Sequence, residues 1–454
     1  MMTTPLPEGN AYNDNDILPT SRPKVLFLAY YFPPLNSSGC VRTWNIAKHL
    51  SRLGWEVTVV TPDPKLWRNQ NDPIQANFNF DRECIRRIPT GHRWCCLTPG
   101  HLKFSDSAVG KLFGGVCRKI ARSLGLELTI GWEREAEVAC AQLSPNDVDI
   151  ILVSGPPFIG FRVAKSLSAR LGCPYVLDYR DPWIENGDET RRNDHVLRSE
   201  QAKIIEASSA VTVVSPSLLK WRFNIGTKEH VISNGFDPEE LRDVKPHEFG
   251  HFAIVYTGVF YPPNRVITPV MAALRRLSEI CSFRKEGIKE WKFHYYGPET
   301  GHVLREAQAF GITDNVIVHG RVSRAESLSA VRGSGLSVVI ASILDQVIEA
   351  ERYIVTGKLF EALGLNTPVL FIGPPGSDVD QVAEMTGLVQ RLPAKDVEGM
   401  AAFFQEVMSG KIPPVRKLDV YTWPNLIKQF DNVLRQAILK SDRWASRKIG
   451  EVIR

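Results

Sequence analysis

Apolar and polar positions alternate along the chain in blocks that change period. "KVLFLAYY" (24–31) is an unbroken apolar run, as expected of a strand buried on both faces of a parallel sheet. A loop with Pro and Gly follows. Val41, Trp44, Ala47 and Leu50 then recur at helical spacing, with Gly54 as the stop, before the strand-like "EVTVV" (56–60). Strand, helix and strand in about forty residues predict a right-handed βαβ unit. After a long irregular interval the pattern returns as "VDIILVSG", a helix over 160–171, "YVLDYRDPW", a helix near 195–209, "AVTVVS" and "HVISNGFD". A second series runs from "FAIVYTG" (252–258) through "WKFHYYG", "VIVHG" and "LSVVIAS" to "PVLFIG" (368–373), with helices between the strands. The polar stretch "DPEELRDVKPHEFG" (237–250) separates the two.

The fold class predicted is α/β, two Rossmann-like domains facing an interdomain cleft. The divisions expected are a disordered polar tail over 1–22, a first Rossmann-like domain over 23–240, a second over 241–420, and a segment over 421–454. The amphipathic helix in that last segment is expected to pack across the domains. Ligands of open parallel sheets bind beyond the carboxyl ends of the strands. Those ends carry Gly39, Gly155, Asp178, Arg180, Asp181, Gly258, Gly297, Gly320 and the 356–361 turn.

Composition narrows the class. At 454 residues, 43% hydrophobic and 23% charged, the chain is of ordinary globular make-up and longer than one core usually serves. No apolar run reaches the ~18 residues of a membrane span, and the N-terminus lacks the pattern of a signal peptide. The eight cysteines are scattered without a CxxC pair, which points to reduced thiols in a cytoplasmic protein. A net charge of +5 is too small to argue for nucleic acid, but between Arg82 and Arg122 nine Lys/Arg face two acids. Within that interval "VGKLFGGVCRKIARSLGL" (109–126) sets apolar residues on one face and Lys111, Arg118, Lys119 and Arg122 elsewhere. It reads either as a helix lying on an anionic membrane surface or as a core-facing helix with a basic outer side.

Several residues have the chemistry of a site. In "TGKLFEALGLNTPVL" (356–370) a helix start presents unpaired N–H groups. Gly357 permits close approach of a phosphate, and Lys358 adds a cation. Glu361, a turn on, either accepts hydroxyl hydrogen bonds or merely complements the helix dipole. In "YTGVFYPPNR" (256–265), Arg265 could set a guanidinium on a diphosphate or be a surface residue. In "DYRDPW", Arg180 is a tie between Asp178 and Asp181, or one of the acids faces a substrate hydroxyl. One glycine in the first βα loop, where a dinucleotide fingerprint needs three, counts against NAD. "SPNDVDI" and "GSDVD" are unpersuasive as metal sites, and no Gly-x-Ser-x-Gly, Walker or HExxH motif occurs.

In this order and at these distances, "YYFPPLNSSGCVRTWNIAKHLSRLGWEVTVVTP", "SGPPF", "LDYRDPW", "VTVVSPSLL", "VISNGFD", "YTG", "HGRVSRAE" and "GKLFEALGLNTPVL" resemble the retaining family 4 glycosyltransferases of GT-B fold, in a subgroup with an "RDPW" motif. The likeness spans about 24 to 440 and is weakest over 63–147. It implies a UDP- or GDP-type nucleotide sugar held by the second domain: Gly258 and Arg265 at the diphosphate, Gly320 and Arg321 at the base, Thr356, Gly357, Lys358 and Leu359 at the helix start, and Glu361 on the ribose. Gly39 approaches the donor sugar. Arg265, Lys358 and Asp181 are the catalytic expectation, with Asp178 and Arg180 on the acceptor or sugar side. The family's acidic pair is often spaced eight apart, and eight before Glu361 stands Tyr353, with Glu349 and Glu351 off register. Many members also have a histidine after the N-domain strand, where this chain has the "DYRDP" group.

The implied reaction transfers a sugar to a glycan or lipid-linked acceptor hydroxyl with retention, as in surface polysaccharide or glycoconjugate synthesis. Developing charge on the leaving diphosphate would be met by Arg265, Lys358 and the helix start rather than by a metal or other cofactor. The alternatives are a nucleotide-sugar epimerase of the same fold and a non-catalytic partner protein. A cytoplasmic location is expected, with peripheral membrane contact if the 109–126 segment is interfacial.

Overall fold

The computed structural model describes residues 22–35, 38–66, 85–94, 115–117, 119–120, 129–183, 194–219, 228–283, 290–344, 351–412 and 414–441. They form two parallel sheets. The first contains β1 (Lys24–Leu28), β2 (Glu56–Pro62), β3 (Arg86–Thr90), β4 (Ile150–Gly155), β5 (Tyr175–Tyr179), β6 (Ala210–Val213) and β7 (Glu229–Val231). Their order is β3-β2-β1-β4-β5-β6-β7. The second contains β8 (Phe252–Thr257), β9 (Trp291–Tyr296), β10 (Val316–Gly320), β11 (Leu336–Ile340), β12 (Val369–Ile372) and β13 (Val389–Leu392), ordered β10-β9-β8-β11-β12-β13.

The helices are α1 (Ser38–Arg52), α2 (Trp132–Ala139), α3 (Ile159–Leu171), α4 (Asp194–Ala207), α5 (Pro216–Leu219), α6 (Pro238–Arg242), α7 (Thr268–Phe283), α8 (Thr300–Ala309), α9 (Arg324–Gly333), α10 (Gly357–Gly364), α11 (Val379–Thr386), α12 (Val397–Met408) and α13 (Trp423–Leu439). Helices cover both faces of each sheet, so β4, β5 and β11 are buried at every position. This is the expected pair of Rossmann-like domains. Each sheet reverses its order at one place, β1/β4 in the first and β8/β11 in the second, and a crevice opens at such a point beyond the strand ends.

The last helix does not lie evenly across the two halves. Trp423, Leu426, Ile427, Phe430, Leu434 and Ile438 of α13 join Trp44, Ala47 and Leu50 of α1 in the core of the first sheet. Tyr421, just before it, belongs to a core of the second sheet. The chain therefore crosses from one sheet to the other twice. The crossings meet where Phe236 and Thr422 form a parallel bridge. Asp237 stiffens the first crossing, accepting from Lys48 Nζ at 2.7 Å and lying 3.2 Å from His49 Nε2, while its other oxygen takes the Glu239 amide at the start of α6.

Residues 1–21 of the expected 1–22 tail, and Lys111, Arg118 and Arg122, lie outside the described residues. Lys119 is exposed on a short helical piece, and beside it Val116 and Ile120 are 50% and 53% exposed. Among the described residues no helix is long and apolar enough to cross a membrane.

Candidate functional site

The second sheet's crevice is built from the loops after β8 and β11, and these are bonded to each other. Arg265 Nε donates to the Ala341 carbonyl at 3.2 Å, and the Ile343 amide donates to the Asn264 carbonyl at 2.8 Å. Paired backbone bonds between Tyr261 and Arg265 (2.9 and 3.0 Å) close the β8 loop, and the guanidinium lies 5.1 Å from the Tyr261 ring centre. Tyr256, Phe260 and Tyr295 stack beneath this loop as an aromatic floor.

Lys358, in the first turn of α10, reaches back over this floor. Its ammonium donates to the Thr257 carbonyl at 2.5 Å and lies against Gly258, where an added Cβ would stand 1.6 Å from Nζ. Gly258 also has φ +138°, so both its backbone and its missing side chain are needed here. The lysine keeps open surface toward the crevice. Yet surrounding protein desolvates the ammonium, and this, only partly offset by Glu361 and reinforced by the Arg265 charge, lowers its pKa to about 8. Neither Lys358 nor Arg265 is ion-paired to a carboxylate among the described residues.

At the start of α10, Thr356 has extended backbone but its hydroxyl caps nothing. Its Oγ1 is buried without a partner among the described residues. Gly357 is exposed, with open space where a side chain would be. Leu359, expected at the donor, corrects that expectation: its side chain is 0% exposed in the core of the second sheet and its amide bonds to the Thr356 carbonyl. Glu361 is held by Arg324, whose Nε also donates to Glu240 at 2.9 Å. Burial would depress the Arg324 guanidinium, but Glu361 and Glu240 raise its pKa above the ordinary value. Arg324 lies within the quoted "HGRVSRAE", but an arginine opening a helix has no sequence mark that separates it from a surface residue. Gly320, at φ +74°, has open space above it, and Arg321 is exposed.

Across the crevice, Gly39 and Arg180 come together. A Cβ on Gly39 would lie 2.0 Å from Arg180 Nη1, so the glycine makes the seat for the guanidinium. Arg180 donates to the Gly155 and Pro156 carbonyls and lies 5.7 Å from the Tyr31 ring centre. Asp181 is exposed at the crevice, yet crowding by protein raises its pKa against the pull of Arg180.

Asp178 is a correction. It is 0% exposed and takes Arg42 Nε and Nη2 at 3.0 and 2.7 Å, Ser154 Oγ at 2.8 Å and Thr212 Oγ1 at 2.8 Å. With all four directions filled it ties α1 to β4, β5 and β6 and faces no substrate. Its pKa is depressed: burial opposes ionisation, but Arg42 and the hydroxyls outweigh burial. Trp183 of "RDPW" stacks on Phe158 of "SGPPF" at 5.3 Å, so these two motifs lock one loop to the other.

Tyr353 stands where the resemblance places an acid. It is buried in the core of the first sheet, 9% exposed, although it belongs to the loop before α10. Asp147 of "SPNDVDI" forms a capping box with Ser144. Asp378 of "GSDVD" precedes α11 without capping it by its side chain, which instead crosses to the first sheet. It accepts from the Ser217 amide and hydroxyl at 2.8 and 2.6 Å and from the Ser215 hydroxyl.

Arg265, Lys358, Gly258 and the α10 start thus form a positively charged cradle suited to two linked phosphates. No family model and no curated protein matches the sequence. Solved structures do match. A sucrose-phosphate synthase from Thermosynechococcus elongatus superposes with TM-score 0.56 at 14% identity, covering 95% of this chain and 98% of its own. Anabaena HepE in complex with UDP gives 0.52 at 12%, covering 94% and 100%. A UDP-N-acetylglucosamine 2-epimerase candidate from Listeria monocytogenes gives 0.53 at 12%, covering 93% and 98%. These likenesses run over nearly the whole chain and establish the GT-B fold.

Proposed function

We propose that this protein is a glycosyltransferase that moves a sugar from a nucleotide-sugar donor to an acceptor hydroxyl. The observation that carries the reading is the Lys358–Gly258–Arg265 cradle at the start of α10, in which two cations with no carboxylate ion pair among the described residues lie beside the first turn of the helix. A leaving nucleoside diphosphate needs that charge, and preorganised cations supply it without reorganisation. HepE, of the same fold, was solved with UDP, which supports a nucleotide as the ligand class. In the mechanism proposed here Lys358 and Arg265 stabilise the leaving diphosphate. Gly320, Arg321 and Glu361 line the nucleoside side, and Asp181 and Arg180 face the acceptor from the first sheet. Retention by front-face return, with the leaving phosphate deprotonating the acceptor and no metal required, is part of the proposal. So is an acceptor drawn from surface glycans or lipid-linked saccharides. Peripheral contact with anionic membrane through Lys111, Arg118, Lys119 and Arg122 is a further part. It is checked by pelleting with anionic vesicles at low salt, release at high salt, and loss on charge reversal.

The test is a thermal-shift panel of UDP and GDP sugars, followed by measurement of nucleoside diphosphate release with and without candidate acceptors. Stabilisation by one nucleotide series and acceptor-dependent release are expected. No response to any nucleotide sugar would overturn the reading. The Listeria likeness favours a second reading, an epimerase. It predicts an isomerised nucleotide sugar in place of acceptor-dependent diphosphate release.

A further inference from the structure

Four of the ten histidines gather at one edge of the second sheet. His294, on β9, is 3% exposed and sits between two others. Its Nε2 lies 2.8 Å from His251 Nε2 and its Nδ1 2.9 Å from His319 Nε2, with ring planes 8° and 16° apart. The Phe249 ring centre lies 4.6 Å from that of His294 and 4.4 Å from that of His247. His319 is the irregular residue of β10. Val318 pairs with Tyr295 and Gly320 with Tyr296, which leaves His319 as an extra residue on an edge strand. With no partner in that ladder it is placed by its side chain, which stacks on Tyr296 at 4.1 Å and 1° and meets His294. Gly320, at φ +74°, and Arg321 follow at once, on the nucleoside side of the proposed site.

The contacts run along the row, and among the described residues no three metal-type donors converge. A neutral imidazole carries one N–H, and each contact between two rings takes one. His294 therefore donates to one neighbour and accepts from the other. One added proton fits on an outer nitrogen with both contacts kept. A second sets two N–H groups face to face at one contact and two positive charges in one row. The charged and titratable groups facing the row are His247 from the segment before β8, Glu290 and Lys292 toward His251, and Glu326 of α9 toward His319. Burial lowers the pKa of all three rings, and at His294 the other imidazoles and Lys292 add to it, down to about 3. Glu290 and Glu326 pull the other way at the two ends, so added protons go there. We propose that the row is a pH-sensitive switch on the Gly320–Arg321 turn: with one extra proton at most it holds His319 on Tyr296, and a second proton frees His319 and weakens nucleotide binding. The action on binding rests on the donor-site reading above; the action on stability does not. Below the ordinary histidine range the unfolded chain holds more protons than the folded one. The row's contribution to stability is thus complete above that range and is lost as pH falls below it toward the folded values.

The experiment measures denaturant unfolding and calorimetric affinity for UDP-glucose and GDP-mannose on the full chain between pH 5 and 8, for wild type, His294→Leu and His319→Phe. Both ligands are diphosphate diesters, whose phosphates do not titrate in this range. In wild type, stability should fall as pH drops. The nucleotide sugar that binds should weaken at least about threefold between pH 7 and 5.5, within the roughly tenfold per pH unit that one linked proton allows. His294→Leu should flatten both slopes. His319→Phe keeps a ring on Tyr296 without a titratable nitrogen, so it should level the affinity while part of the stability slope remains. If His294→Leu does not fold, His319→Phe decides alone. A wild-type affinity that is level with pH, or an equal slope in His319→Phe, would overturn the switch while leaving the donor site standing. A wild type that binds neither nucleotide sugar at any pH removes the donor-site reading, and the switch's target with it.

Discussion

Gly258 and Lys358 share one space, and each is intelligible only through the other. The lysine ammonium lies where a side chain at 258 would stand, and the glycine's φ of +138° is one that L side chains rarely adopt. Gly258→Ala should therefore both strain the backbone, at about 1–3 kcal/mol, and expel the ammonium. A lowered melting temperature and at least tenfold weaker UDP or GDP binding by calorimetry are expected; unchanged binding would show that the ammonium does not meet the phosphates. The lysine also sets a pH dependence. Its pKa of about 8 lies below that of a free lysine, so the folded protein loses this proton before the unfolded chain does. Between pH 8 and the ordinary lysine range the unfolded state holds more protons, and this group's contribution to stability rises with pH. Diphosphate affinity runs the other way: it should be level below about pH 7.5 and fall as pH passes 8. Calorimetry across pH 6.5–9.5 should show that decline in wild type and its absence in Lys358→Met. Lys358 and Arg265 were legible because a cation at a helix start or a strand end carries a local signal. Arg324 was not, because its partner Glu361 lies 37 residues away.

The elements themselves were the most legible level, since continuous apolar runs and 3.6-residue spacing are properties of short windows. The central strands and α10 were readable for that reason. Two of the four edge strands were not: β3 is "RRIPT", with a proline that only an edge tolerates, and β13 is four residues long. Val397, Met400, Ala401, Phe404 and Val407 carry the spacing of α12, so that helix too was marked in the sequence. What joins the elements was hidden. Asp178 looked like a site acid because it ends a strand beside Arg180, but its partner Arg42 is 136 residues away. Removing one member of a buried pair strands the other, at about 3–5 kcal/mol. Asp178→Asn should lower stability by that order in denaturant unfolding. Arg42→Met should do the same, and the double variant should lose less than the sum of the two. Because the Asp178 carboxyl is depressed, its contribution is complete above the ordinary aspartate range and is lost as pH falls through the folded value. The wild type should accordingly be more acid-sensitive than Asp178→Asn.

At the scale of the molecule the question is how two sheets that each carry half of a site are held in register. The covalent crossings at Phe236 and Thr422 meet closely: a Cβ on Gly235 would lie 2.1 Å from the Tyr421 carbonyl, which leaves that side of the seam little freedom. Away from the crossings, Tyr353 packs into the first sheet's core and Asp378 accepts from Ser215 and Ser217. Contacts between domains of one chain are ordinarily small enough to permit relative motion, so a carboxylate taking three donors weighs heavily in that balance. At roughly 1 kcal/mol net for each bond, more where the acceptor is charged, the three together favour the joined arrangement by about 2–4 kcal/mol. That corresponds to a shift on the order of 10²-fold in the population of open and joined forms. Asp378→Ala should then raise the radius of gyration in solution scattering. The diphosphate cradle belongs wholly to the second sheet, so UDP or GDP affinity should stay within twofold of wild type. The proposed transfer has Asp181 and Arg180 of the first sheet opposite the donor, so turnover should fall at least tenfold. Scattering and turnover that both match wild type would mean that the crossings and the Tyr353 contact hold the sheets without Asp378. A parallel loss of diphosphate binding would mean that the cradle itself is built across the seam, contrary to the residues assigned to it here.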